Sequence, residues 1–404
     1  MRKTVSRSLA LLLLTGAAPV LVVAGLAGEA KKALEAKGTI RIATQSPLSG
    51  PQEVFGDAIK RGAQLALDKL KGSSTRLGWK VELVPFDDED KPDVAVRNAK
   101  HIVNEQDILL VIGHLSSRVT LLSSEVYREV DLAMISPAST DPKLTDRKYR
   151  NVNRVCGRDD AQGEAGARFA KDELKINSAY VLHDKTLYGQ AVAEVFRDMA
   201  KKLGVEIRGF EGTEEKANFD PIITPIKAKN PDLVYFGGIY SQAAIFLKQM
   251  REKGVEAKFL GPDGMDSSEM VKIAGKAAVG MYYSTITGPP TIYPEAAGFA
   301  KDFKAKFKKD PEPFAALAYD ATAIALKAIE AVAAKSKPTR AAVAEAIRKT
   351  KNYKGLTGTI TFDEKGDPVK AKYFIFQVVS DDPAKWGESK LIKTLEIEAP
   401  PPKR

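Results

Sequence analysis

Residues 107–113 read DILLVIG and pass into HLSS, and residues 232–238 repeat this design as DLVYFGG passing into IYSQ. Each stretch is an apolar run that ends at glycine and leads through a short polar loop into a helix-like segment. This pattern is typical of a buried parallel strand followed by a helix. In open α/β sheets, ligands bind at such strand-to-helix loops. Two units of this kind predict two α/β lobes with a site between them.

Strand-like and helix-like segments alternate along the rest of the chain, as they do in mostly parallel α/β sheets. The predicted fold class is therefore α/β, with two doubly wound parallel-sheet lobes joined by a hinge that the chain crosses several times. We expect residues 37–156 and 286–373 to form lobe 1, and residues 157–285 and 374–398 to form lobe 2. The C-terminal residues 399–404 read APPPKR and are expected to be disordered.

The N-terminal residues follow the order of a secretory signal peptide. Three basic residues, Arg2, Lys3 and Arg7, come first, and an apolar stretch and a series of small residues follow. A membrane anchor is the alternative, but the stretch contains proline and glycine and is only lightly apolar for a full span. We expect residues 1–30 to be removed as a signal peptide and the mature protein to act outside the cytoplasm.

Composition argues against several classes of function. Cys156 is the only cysteine, so no intramolecular disulfide can form, and its alternating strand-like surroundings indicate a buried structural thiol rather than a nucleophile. The formal net charge of +10 is spread over many helices instead of being grouped. Dispersed charge indicates solvated helix faces, so no nucleic-acid partner is expected.

Signatures of catalysis and of metal binding are missing. The three histidines lack metal-ligand spacing, and no phosphate-binding glycine loop follows the first strand. Residues 113–117, GHLSS, begin like a nucleophile elbow, but Ser117 stands where the closing glycine belongs. The acidic residues 87–90, DDED, lack the spacing of a calcium loop and are interpreted as a solvated loop before a helix. We therefore predict no enzyme, no cofactor and no metal site.

Two polar loops predict a binding site for a small zwitterion instead. Ser116 and Ser117 stand at an expected helix N-terminus, where free N–H groups can hold a carboxylate. A plain helix cap is the alternative role for Ser117. Residues 136–140, SPAST, follow the neighbouring strand and add further hydroxyls at the same edge. Convergence of the two loops favours a ligand over capping alone.

An ordered set of motifs resembles the periplasmic leucine/isoleucine/valine-binding proteins, which are type I substrate-binding proteins of ABC transporters. The resemblance extends from residue 39 to residue 379. It implies a two-lobed Venus-flytrap fold, a periplasmic location, a monomeric state and delivery of the ligand to an inner-membrane ABC permease. The motifs are LSGP at 48–51, FG at 55–56, GHLSS at 113–117, SPAST at 136–140, DDAQG at 159–163, HDK at 183–185, YG at 188–189 and GPDG at 261–264.

The resemblance also implies the site. Ser117 and Thr140 would hold the α-carboxylate of an aliphatic, branched-chain type of amino acid, and the Ala138 carbonyl would accept from its α-ammonium. Asp263 of lobe 2 would supply the counter-charge when the lobes close. The remaining binding candidates are Phe55, Leu115, Ser116, Ser139, Tyr188, Ile239, Tyr240 and Phe314.

Three positions depart from the family pattern. Asp263 stands where branched-chain binders typically have glutamate, Ile239 replaces a frequent aromatic residue, and Ser116 replaces a cysteine found in some members. The side-chain preference therefore stays open, and a small amide, urea or an aromatic acid is an alternative ligand. A sensory module that acts with a partner receptor is a different class of function, and an exported flavodoxin-like or hydrolytic enzyme is a third.

Overall fold

The structure is a computed structural model that describes residues 36–289 and 292–398. The predicted signal peptide, residues 1–30, and the predicted disordered tail, residues 399–404, lie outside the described residues and stay predictions. Among the helices of the described residues, none combines the length and the apolar character that a membrane span requires.

The described strands and helices follow one another as the alternating sequence pattern predicts. The strands are β1 (Gly38–Ser46), β2 (Trp79–Asp87), β3 (Ile108–Gly113), β4 (Ala133–Ser136), β5 (Val152–Arg154), β6 (Ser178–His183), β7 (Glu206–Gly212), β8 (Leu233–Gly237), β9 (Lys258–Gly261), β10 (Tyr282–Thr285), β11 (Tyr353–Gly355), β12 (Gly358–Ile360), β13 (Lys370–Gln377) and β14 (Lys390–Glu398). The helices are α1 (Glu53–Leu70), α2 (Gly72–Arg76), α3 (Pro92–Asn104), α4 (Ser117–Arg128), α5 (Lys143–Asp146), α6 (Asp159–Asp172), α7 (Leu187–Lys202), α8 (Asp220–Lys229), α9 (Tyr240–Glu252), α10 (Ser268–Ala274), α11 (Ala297–Phe307), α12 (Ala315–Ala333) and α13 (Arg340–Arg348).

Two separate sheets form the centres of the two lobes. The sheet of lobe 1 has the order β2-β1-β3-β4-β5, and all its strand pairs are parallel. The sheet of lobe 2 has the order β14-β13-β10-β9-β8-β6-β7, in which β13 and β14 are antiparallel additions to a parallel core. Every residue of β3 and β8 is buried, which explains why both strands are continuous apolar runs. The predicted fold class is confirmed.

The late helices pack on lobe 1. Helix α12 is buried over most of its surface and lies against α1. The close approach depends on Gly62, since a Cβ atom there would collide with the carbonyl of Ala315. The chain thus passes between the two sheets after β5, after β10 and before β13. The lobe boundaries inferred from the sequence stay predictions.

A buried ion pair joins two of these crossovers. Arg154 at the end of β5 donates from Nε to Oδ1 of Asp367 over 2.7 Å, and both side chains are 0% exposed. Arg158 Nη1 donates to the other Asp367 oxygen over 2.8 Å. Burial opposes ionisation of Asp367, but the two guanidinium groups outweigh it and hold the pKa of that carboxyl below its usual range. Cys156, between the two arginines in the chain, is 1% exposed, so the predicted burial of this thiol is confirmed.

We predict that Asp367→Asn lowers the free energy of unfolding by about 3–5 kcal/mol, because it leaves the Arg154 charge buried without a charged partner. Urea denaturation followed by circular dichroism measures the change. Asp381→Asn, at an exposed position, is the matched control and should change stability by less than about 0.5 kcal/mol. Equal midpoints for the two variants would contradict a structural role for the ion pair.

Candidate functional site

A cavity between the two sheets is lined by residues of both lobes. Ten of the twelve candidates predicted from the sequence lie on its wall. Their contact with a ligand stays a prediction. The ten are Phe55, Leu115, Ser116, Ser117, Ala138, Thr140, Tyr188, Ile239, Asp263 and Phe314.

The lobe 1 wall is built from the two polar loops that follow β3 and β4. The hydroxyl of Ser136, at the end of β4, donates to the His114 carbonyl over 3.0 Å and accepts from the N–H of Ser139 over 2.8 Å. Ser117 begins α4, so the free N–H groups of the first helical turn are close to the cavity. Ser117 and Thr140 are 2% and 1% exposed. The geometry suits a carboxylate because N–H and O–H donors converge there.

Ser139 does not lie on the wall. Its Oγ is 3.2 Å from the carbonyl of His114 and 3.1 Å from that of Leu115, to both of which it can donate, and it also contacts the Thr120 hydroxyl. These contacts join the loop after β4 to the loop after β3. Ser139 therefore holds the two loops together beside the cavity.

Tyr240, at the start of α9, is the other candidate that is absent from the wall. Its hydroxyl donates to the carbonyl of Pro51 over 2.6 Å, and its ring meets Phe55 edge to face at 5.2 Å between centroids. Tyr240 belongs to lobe 2, whereas Pro51 and Phe55 belong to lobe 1. Tyr240 therefore bridges the lobes next to the cavity.

The lobe 2 wall carries the Asp263 carboxylate. The Tyr188 hydroxyl donates to Oδ1 of Asp263 over 2.7 Å and accepts from the N–H of Gly264 over 2.9 Å. Burial raises the pKa of Asp263 to about 6, although hydrogen bonds from Tyr188 and Gln162 act in the opposite direction. A cation bound beside this carboxylate would relieve the cost of its burial, since no basic side chain is among the groups that shift its pKa.

Asp159 increases the acidic character of this region. It begins α6 and is 0% exposed. Burial, together with the like charges of Asp263 and Asp141, raises the pKa of Asp159 well above its usual range. Asp159 and Asp263 therefore interact as like charges in one buried region beside the cavity.

Sequence reasoning missed four wall residues: Gln52, Asp90, Thr186 and Gly264. The interpretation of residues 87–90 as a solvated loop was wrong, because Asp88 is 1% exposed and Asp90 lies on the cavity wall. Strand β2 pairs in parallel with β1, which pairs in parallel with β3, so the end of β2 reaches the sheet edge that carries the loop after β3. Gly264 lies within the GPDG motif at 261–264, and Thr186 directly follows the HDK motif at 183–185. Their positions beside these motifs could have indicated that both residues line the cavity.

The fold and the site define a class of protein: a two-lobed α/β protein with a cavity between its lobes. The periplasmic binding protein family model matches residues 39–383. The chain therefore belongs to the periplasmic binding protein family, a family of substrate-binding proteins and not of enzymes, and the resemblance described above is confirmed.

Individual relatives agree with this assignment. The leucine-, isoleucine-, valine-, threonine- and alanine-binding protein of Pseudomonas aeruginosa is 32% identical over 343 residues, which cover 85% of this chain and 90% of that protein. The crystal structure of a leucine-binding protein from Thermotoga maritima superposes with a TM-score of 0.80 at 29% identity, covering 88% of this chain and 98% of the other. A branched-chain amino acid binding protein from Streptococcus pneumoniae, solved with isoleucine, superposes at 0.79 over 89% and 99% of the two chains, and its 23% identity shows the shared fold.

Proposed function

We propose that this chain is the substrate-binding protein of an ABC transporter and carries an aliphatic amino acid, of the branched-chain type, to an inner-membrane permease. The observation that supports the proposal most directly is the pair of opposed walls. N–H and hydroxyl donors line one lobe, and the Asp263 carboxylate lines the other. Leucine, isoleucine and valine, three of the five ligands in the name of the Pseudomonas aeruginosa relative, are branched-chain aliphatic amino acids.

In this proposal the α-carboxylate binds at the start of α4, between Ser117 and Thr140. The Ala138 carbonyl accepts from the α-ammonium, and Asp263 supplies the opposite charge. Burial alone disfavours an ionised Asp263, so an ammonium group stabilises the arrangement in which lobe 2 covers the cavity. Open and closed forms then exchange, and the ligand favours the closed form by the contacts that it makes only there.

The proposal extends to the cellular setting. Residues 1–30 direct export and are removed, and the mature chain acts in the periplasm as a monomer, without nucleic acid and without turning over its ligand. Thermal-shift screening of the mature protein against the common amino acids tests this function, since a ligand at a hundred times its Kd adds about 2.7 kcal/mol of stability. No stabilisation by any amino acid would contradict the proposal.

We predict that Asp263→Ala weakens binding of the amino acid found in that screen by about ten- to a hundredfold. The reason is the loss of a charge-assisted hydrogen bond, which contributes roughly 1.5–3 kcal/mol. Isothermal titration calorimetry gives the two dissociation constants. Asp198→Ala on α7, at an exposed position of the same lobe, should bind like the wild-type protein. Unchanged affinity in Asp263→Ala would remove this residue from the site.

We predict that amino-acid affinity falls as the pH drops below about 6, the pKa of Asp263 in the ligand-free protein. The ammonium binds the ionised carboxylate, so ligand and proton compete, and affinity should fall about tenfold per pH unit below that value. Above about pH 7 the affinity should be constant. Calorimetry from pH 4.5 to 8 on the wild-type protein and on Asp263→Asn measures the effect. An equally steep profile in the variant would show that another group is responsible.

We predict that Tyr240→Phe weakens amino-acid binding by about two- to tenfold and leaves the order of preference among ligands unchanged. The variant keeps the ring contact with Phe55 but loses one hydrogen bond between the lobes, worth about 0.5–1.5 kcal/mol. Competition of several amino acids for both proteins measures affinity and preference together. A changed order of preference would indicate that Tyr240 contacts the ligand directly.

A further inference from the structure

The cavity wall carries a second carboxylate, that of Asp90. Asp90 lies in the loop between β2 and α3, on lobe 1, and Gln52 Nε2 donates to its Oδ2. Its Oδ1 is shielded from water and accepts no hydrogen bond from the described residues. A buried carboxylate oxygen without a donor is costly. This oxygen can therefore accept a hydrogen bond from a ligand, beside the Ser116 and Gln52 side chains that act on the same carboxylate.

The electrostatic surroundings of Asp90 favour such a donor. Burial raises the pKa of Asp90 to about 6, the Ser116 and Gln52 side chains act in the opposite direction, and the nearby carboxylates of Asp88 and Asp184 raise it further. The groups that act most strongly on Asp90 are thus other carboxylates and neutral hydrogen-bond donors. A carboxylate in such surroundings favours a hydroxyl proton or an ammonium group as its further partner.

Asp90 and Asp263 occupy different parts of the cavity wall. The groups that act on Asp263 are Tyr188 and Gln162, and Asp90 is not among them. The side chains that act most strongly on Asp90 are Ser116, Asp88, Gln52 and Asp184, which follow β3, β2, β1 and β6. If Asp263 holds the α-ammonium, Asp90 is left to face another part of the ligand, which is its side chain.

We propose that Asp90, with Gln52 and Ser116, forms a polar subsite for a hydrogen-bond donor on the ligand side chain. The preferred ligand is then a small amino acid that carries a side-chain hydroxyl or ammonium, such as threonine, which has the shape of valine. This inference rests on the proposed function: it keeps the α-amino-acid site and replaces the purely aliphatic side chain by one of similar size that carries a donor. A site built to hydrogen-bond a substrate group disfavours the analogue that lacks it, because its own polar atom then stays unpaired.

Calorimetric titration with valine, threonine and 2,4-diaminobutyrate tests the subsite. Valine and threonine differ only in the exchange of a methyl group for a hydroxyl, and 2,4-diaminobutyrate supplies an ammonium. The wild-type protein should bind threonine or 2,4-diaminobutyrate at least about tenfold more tightly than valine. Asp93→Asn, which alters an exposed acid at the start of α3, is the matched control and should keep that ratio.

Two variants of Asp90 separate the possible donors. Asp90→Leu removes the acceptor and should shift the preference towards valine by at least about tenfold. Asp90→Asn keeps an acceptor oxygen without the charge, so it should retain much of a preference for threonine and lose a preference for 2,4-diaminobutyrate. If Asp90→Leu does not fold, the affinities of the wild-type protein and of Asp90→Asn for threonine and 2,4-diaminobutyrate, each relative to valine, still test the subsite.

Three results would overturn the inference. If the wild-type protein binds valine more tightly than threonine and 2,4-diaminobutyrate, the subsite does not exist. The same conclusion follows if Asp90→Leu weakens the binding of all three ligands by the same factor. In both cases the protein still binds amino acids, so the proposed function stands. A wild-type protein that binds none of the three ligands, nor any other amino acid, would overturn both proposals.

Discussion

The buried ion pair of Arg154 and Asp367 is the interaction on which the geometry of the cavity depends. The same guanidinium donates from Nη1 to the carbonyls of Ser139 and Asp141, over 2.8 Å and 3.1 Å. One buried cation thus joins a crossover between the lobes to the loop that carries Ala138 and Thr140. A buried charge that loses its partners is strongly destabilising. The loop after β4 is therefore held in place by a crossover between the lobes, so the proposed closure of lobe 2 would leave this wall of lobe 1 unchanged.

The two polar loops of lobe 1 and Asp263 of lobe 2 differ in how far the protein satisfies their polar groups. On lobe 1, hydroxyls and carbonyls of the polar loops bond mainly with one another, as the contacts of Ser136 and Ser139 show. On lobe 2, Asp263 is buried among donors that do not neutralise its charge. In the proposed mechanism, a ligand ammonium beside Asp263 makes the filled closed form more favourable than the empty one, and ligand-driven closure requires such a difference. The hydrogen bond of Tyr240 to Pro51 joins the lobes without a ligand and would favour closure in either state.

Local patterns predicted the strands and loops well because they record burial directly. Strands β3 and β8 are buried along their whole length, and the sequence shows this as unbroken apolar runs. Asp90 was missed because charge in a sequence ordinarily indicates solvent, and only the long-range pairing of β2 with β1 brings its loop to the cavity. Ser139 and Tyr240 show a second limit. Neighbouring residues of one loop point in different directions, and packing, which no short motif encodes, decides which of them reaches the cavity.

The two proposals together assign affinity and selectivity to different lobes. In the proposed binding mode, Asp263 acts on the α-ammonium, which every α-amino acid has, so it would strengthen binding without distinguishing one side chain from another. Asp90 would act on a group that only some side chains carry, and it lies on lobe 1 together with the loops proposed to bind the carboxylate. A ligand resting on lobe 1 in the open form therefore meets the selective carboxylate before lobe 2 arrives. Closure then adds a similar stabilisation to each ligand that lobe 1 accepts, so discrimination precedes the conformational change instead of depending on it.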